Sequence, residues 1–115
     1  MRDGAKLRVR RGAVCSMGKN VSIGSFNVIN CQKSITLGDD VVLSPNVQIY
    51  DHDHDYACEG GIKAMKYKTT AVEIGSNVWI GANCVIGANT VVSGEIAANS
   101  VVYQERNTKI KIREI

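Results

Sequence analysis

Residues 49–61 read IYDHDHDYACEGG and hold both histidines of the chain, His52 and His54, with Asp51, Asp53 and Asp55 interleaved. Side chains of these types could do three kinds of work. Two imidazoles can ligate a metal ion. An imidazole oriented by a carboxylate can take a proton as general base. The same residues could equally form a solvated polar loop. The elements around the loop have to choose among these readings.

Those elements repeat. From Ile74 the chain reads IGSNVW, IGANCV, IGANTV and VSGEIA, successive six-residue units that begin with Ile or Val. The same frame runs through LGDDVV, LSPNVQ and IYDHDH, from Leu37 to His54, and earlier through RGAVCS, MGKNVS and IGSFNV. A period of six fits neither an amphipathic helix nor simple strand alternation. It suits a short strand and a turn, repeated, with places one and five of each unit facing inward. Asn and Gly between those places supply turns because both tolerate positive φ. Three units per coil would stack the aliphatic residues into continuous ladders, as solenoids do. The frame breaks where two extra residues lie between Ile29 and Leu37, and again at a longer insert over about 51–69. On this frame His54 stands at the outward sixth place of its unit, and the chain rejoins the repeat near Ala71.

Composition agrees with strands. The 115 residues form one domain, 1–115, with one Pro, one Trp and one Phe, and an apolar content dominated by Val and Ile, which favour extended structure. No apolar run approaches membrane-spanning length, and the charged start MRDGAKLRVRR lacks the apolar core of a signal peptide. The expectation is a cytoplasmic protein that does not enter a membrane. Cys15, Cys31, Cys58 and Cys84 are widely spaced, which points to small buried thiols, Cys84 at an inward fifth place. Basic residues crowd both ends, but without aromatic interleaving or a recognition helix, so no nucleic-acid partner is expected. The terminal K-I-K-I-R alternation marks an exposed C-terminal strand at about 106–115. Trp79, at an outward sixth place, is unusual unless it meets a ligand or a subunit.

The [LIV]-G-x-x-[small]-x units resemble the hexapeptide-repeat acyltransferases over nearly the whole chain. LGDDVVLSPNVQIY and IGSNVWIGANCVIGANTVV are similar to segments of the galactoside, maltose and capsular-polysaccharide O-acetyltransferases. The resemblance implies an all-β fold, a left-handed parallel β-helix with one protruding loop. It also implies acetyl-CoA-dependent transfer of an acetyl group to a sugar hydroxyl, with no metal, in a homotrimer whose active sites lie at subunit interfaces. Aligned on S-P-N-V-x-[LI], His54 is favoured as the general base, and His52 and Asp53 as acceptor contacts. Asp51 and Asp53 both stay open as the carboxylate that orients the base. Asn27 matches the asparagine that helps to stabilise the oxyanion. Trp79 would wall the acceptor and cofactor. Gly81, Ala82, Gly87 and Ala88 would let a pantetheine arm approach, and Lys109, Lys111 and Arg113 would reach its phosphates. Two other readings stand beside this one. A γ-class carbonic anhydrase-like protein would use His52 and His54 as zinc ligands, and a non-catalytic β-helix subunit would use neither.

Overall fold

The computed structural model describes residues 2–54, 59–60, 67–87, 95–104 and 110, and only the backbone of residues 53, 54, 67 and 68. The described residues contain strands and turns but no helix, and so none long and apolar enough to cross a membrane. The first coil is β1 (Lys6–Val9), β2 (Val14–Met17) and β3 (Ser22–Ile23). The second is β4 (Val28–Cys31), β5 (Ser34–Leu37) and β6 (Val42–Leu43). The third opens with β7 (Gln48–Tyr50), leaves for a hairpin of β8 (His52–His54) and β9 (Tyr67–Thr69), and resumes with β10 (Val72–Ile74) and β11 (Trp79–Ile80). The last comprises β12 (Val85–Ile86), β13 (Glu95–Ile96) and β14 (Val101–Val102).

Strands from successive coils pair in parallel to make three faces, ordered β1-β4-β7-β12, β2-β5-β10-β13 and β3-β6-β11-β14. This is a parallel β-helix. Each face sends one aliphatic ladder inward. On the first face Leu7, Ile29, Ile49 and Ile86 are register partners. On the second they are Met17, Leu37, Ile74 and Ile96, and on the third Ile23, Leu43, Ile80 and Val102. Fifth-place residues Val41, Val47, Val78 and Cys84 fill the corners and are buried with the ladder residues of the second and third coils, whereas Leu7 in the first coil is exposed. Burial of these side chains is the main driving force, since each contributes about 1.5–3 kcal/mol when fully withdrawn from water.

The corners explain the rest of the repeat. Asn46, Asn77, Asn83 and Asn99 adopt φ between 56° and 64°, a left-handed conformation that Asn tolerates better than other side chains. Their amides also bridge coils, Asn46 to Asn83 at 2.7 Å and Asn77 to Asn99 at 2.8 Å. Glycine at the second place serves close approach. A Cβ on Gly38 would lie 2.7 Å from the Ser76 nitrogen, and one on Gly75 would lie 2.6 Å from the Ala98 nitrogen. Gly38→Ala is therefore expected to wedge two coils apart and cost about 1–3 kcal/mol, read as a lower urea midpoint.

Two details of the frame need correction. IYDHDH is not a regular unit. The strand alternation of β7 continues past Ile49 and turns Asp51, the third place of that unit, into the interior, where it is fully buried. The unit VSGEIA is out of frame as well, because Ile96 pairs with Ile74 and thus occupies the first place of its unit, not the fifth. Both shifts fall at the corner between the first and second faces, where a coil takes up extra residues. Of the C-terminal strand expected at about 106–115, only Ile110 is described; it is exposed and lies outside any strand.

Candidate functional site

The two breaks in the repeat meet at one place. In the second coil the extra residues lengthen β4 through Cys31 and open a wide turn at Gln32 and Lys33 before β5. Three backbone N–H groups of that turn point toward the next coil. Asp51 answers them: its Oδ1 accepts from Gln32 at 2.8 Å, and its Oδ2 accepts from Lys33 at 2.8 Å and Ser34 at 2.7 Å. The Cys31 thiol lies 3.9 Å from the same Oδ2 and 3.3 Å from the Val14 carbonyl. A single carboxylate thus closes one coil and ends the strand of the next.

Burial alone would push the Asp51 carboxyl up. The N–H bonds from Gln32, Lys33 and Ser34, with the contact to His52, outweigh it and hold the group below the ordinary carboxylate range. The same burial, with the Asp51 charge nearby, pushes the thiols of Cys15 and Cys31 up, and burial does so for Cys84. These thiols are packing groups. A folded carboxyl that ionises more readily than an unfolded one stabilises the fold at pH above about 4, and that contribution fades as pH falls through and below this value. The urea midpoint of the wild type is expected to fall between about pH 5 and pH 3, and that of Asp51→Asn to fall less, since no charge is lost there.

Immediately after Asp51 the chain leaves the β-helix. Thr70 N–H returns to the Asp51 carbonyl at 2.9 Å, which closes the base of the hairpin. In the hairpin His52, Asp53 and His54 face Thr69, Lys68 and Tyr67 in antiparallel register. His52 Nδ1 lies 3.3 Å from Asp51 Oδ1, and its ring meets that of Tyr50 edge-on at 6.1 Å. The His52 side chain is 14% exposed. The side chains of Asp53 and His54 lie outside the described residues, as do Ala88, Lys109, Lys111 and Arg113. Among the described residues no three His, Cys, Asp or Glu side chains converge as metal ligands.

The remaining expected site residues lie elsewhere in the chain. Asn27 is inside the β-helix, with no exposed surface. Its Oδ1 accepts from the Val47 N–H at 2.8 Å, and its Nδ2 is buried without a partner. In this chain the Asn27 amide is interior and joins two coils. Trp79 is outward and 53% exposed, with its indole N–H on Ser44 Oγ at 2.8 Å. It stands on the third face between Val42 and Val101. The histidine hairpin leaves from the corner between the other two faces, so one chain does not bring Trp79 and His52 together. Gly81 sits half-buried under the next coil, where a Cβ would lie 3.3 Å from the Val102 carbonyl oxygen, so coil stacking accounts for its size. Ala82 is exposed on the turn after β11, and Gly87 is buried.

Sequence reasoning missed two contributors. The turn at Gln32–Ser34 was marked only by the two-residue irregularity, which was the available signal. The Gln104 side chain, which bonds both the N–H and the carbonyl of Val85 at 2.9 Å, carried no sequence signal. No protein-family model matches the chain, and no curated protein does so either.

Proposed function

We propose that the protein is an acetyl-CoA-dependent O-acetyltransferase that acylates a hydroxyl of a sugar or polysaccharide precursor in the cytoplasm. The observation that carries this reading is the histidine strand β8. It sits where the chain exits an otherwise continuous parallel β-helix, with one imidazole tied to a buried carboxylate. Direct transfer needs a base for the attacking hydroxyl, donors for the oxyanion and a groove for both substrates. The repeat resemblance supplies the cofactor class and favours His54 for the base. The separation of Trp79 from the hairpin within one chain suits a homotrimer in which Trp79 of one subunit walls the site of the next. Lys109, Lys111 and Arg113 are the candidates for the cofactor phosphates.

The test has two arms. Saturating acetyl-CoA should raise the melting temperature, because a ligand that binds only the folded state stabilises it by mass action. A screen of sugar acceptors should find one that drives thiol release, and the double variant His52→Gln/His54→Gln should abolish that release while keeping the melting shift. Neither a shift nor release with any acceptor would leave the non-catalytic reading in its place.

A further inference from the structure

We propose that the groove between the first two coils on the third face binds a saccharide that carries a carboxylate, with Arg2 reading the charge. The choice of a saccharide rests on the acetyltransferase reading; the charge rests on the groove itself. Its volume is about 500 Å³, within the range of small-molecule sites. The hydroxyls of Ser22, Ser25 and Ser44 and the apolar side chains of Val42 and Pro45 line it, and Arg2 is the one charged residue among the described residues that do so. The Arg2 guanidinium makes no hydrogen bond or ion pair with any described residue.

A fixed turn delivers Arg2 to the groove. Arg2 N–H donates to the Ile23 carbonyl at 3.1 Å, Phe26 N–H donates to the Asp3 carbonyl at 3.0 Å, and Ala5 N–H closes the turn onto the Arg2 carbonyl at 3.3 Å. Gly4, at φ 72°, supplies the left-handed residue that such a turn needs at its third place. Phe26 locks the turn from the other side. Its ring lies so close to Gly4 that a Cβ there would sit 2.6 Å from Cε1. Phe26 itself adopts φ 59° at a corner where the other units place Asn or Asp, a conformation costly for a bulky side chain, and it is exposed. A strained aromatic that holds this turn has a purpose if the turn presents Arg2.

The groove offers what such a ligand needs. A guanidinium pairs with a carboxylate through two parallel N–H donors. The hydroxyls of Ser22 and Ser25 have no partner among the described residues, and Ser44, which accepts the Trp79 indole N–H at 2.8 Å, keeps its own proton to donate. These groups can meet ring hydroxyls. The outward row Ser22, Val42, Trp79 and Val101 rises by one strand spacing, about 4.8 Å, per coil, close to the length of one pyranose residue. A saccharide lying along this row with a charged ring at Arg2 would set a later ring on the exposed indole of Trp79, whose face packs against sugar C–H groups. The groove on the second face, by contrast, is lined by Glu73 and Glu95 and would repel the same ligand.

The chain has one Trp, so its fluorescence reports binding at this face, and calorimetry checks it. The probes are short oligosaccharides of glucuronate, galacturonate and mannuronate, each beside its carboxyl-reduced, neutral counterpart, titrated into the full chain without acetyl-CoA. At least one uronate is expected to bind saturably, and its neutral counterpart about ten- to hundred-fold more weakly, the factor that a charged hydrogen bond carries. Arg2→Gln should lose the same factor toward the uronate and little toward the neutral sugar. Arg11→Gln, which removes an exposed cation on the turn after β1, should lose less than about two-fold. Ser22→Leu, which fills the groove from an exposed strand position, should abolish binding and leave the melting temperature unchanged. No saturable binding of any uronate, equal affinity for the reduced sugars, equal losses in Arg2→Gln and Arg11→Gln, or wild-type binding by Ser22→Leu overturns the site. Uronate binding by a chain that releases no thiol from acetyl-CoA with any acceptor keeps the site and overturns the transferase reading; thiol release without uronate binding does the reverse.

Discussion

Asp51→Ala is expected to lose on the order of 3–5 kcal/mol of stability at neutral pH. The variant removes the acceptor for the Gln32, Lys33 and Ser34 N–H groups at once. Each donor left unsatisfied in a partly buried site costs about 1–3 kcal/mol, and the two nearest solvent can recover part of that from water. An alanine methyl group also leaves the space beside Cys31 unfilled. Domains of this size are stable by about 5–15 kcal/mol, so the loss is a large fraction of the whole. Equilibrium urea unfolding followed by far-ultraviolet circular dichroism measures it. A loss under about 1 kcal/mol would mean that the turn closes without the carboxylate.

The second large effect is expected at Ile80→Ala, a loss of about 2–5 kcal/mol. Ile80 has no exposed surface and stands in its ladder between Leu43 and Val102. Truncation opens a cavity whose walls, the backbones of flanking coils, are held by inter-coil hydrogen bonds such as Ser44 N–H to the Ile80 carbonyl at 2.9 Å and Gly81 N–H to the Val102 carbonyl at 2.8 Å. Those bonds limit collapse, which places the cost in the upper part of the range. A solenoid is stabilised mainly between neighbouring repeats. The damage should therefore concentrate on the last coil, and amide hydrogen exchange should show Trp79 and Gly81 losing protection before Val28 and Val42.

How far the sequence could be read follows from the range of the interactions involved. Leu37, Leu43, Ile49, Ile74, Ile80 and Ile86 announce their inward places because a six-residue period is a local property of the chain. The asparagines at 46, 77, 83 and 99 announce their corners because positive φ is a property of single residues. The exposure of Trp79 follows from the same frame. The frame failed at IYDHDH and at VSGEIA, where a coil lengthens at the corner between the first two faces. Nothing local distinguishes a residue that continues the period from one that extends a strand by two. What turns Asp51 inward is the wide turn of the coil beneath it, whose amides need an acceptor. The placement of Asn27 shows the same limit. A motif names the residue type, but the register with Val47 decides whether its amide meets solvent or the interior.

The sequence by itself determined an all-β coil of short strands, its aliphatic interior, its asparagine corners and two of the places where the repeat is interrupted. Each of these is encoded within a few residues of itself. Only the tertiary structure decided that the two interruptions are one feature, with a carboxylate from the third coil filling a turn in the second. It alone set His52 on that carboxylate and put Trp79 on the face across the prism. These outcomes depend on which residues become neighbours when coils stack, a choice made by inter-coil hydrogen bonds between positions some twenty residues apart, such as Ser34 and Asp51 at a separation of 17.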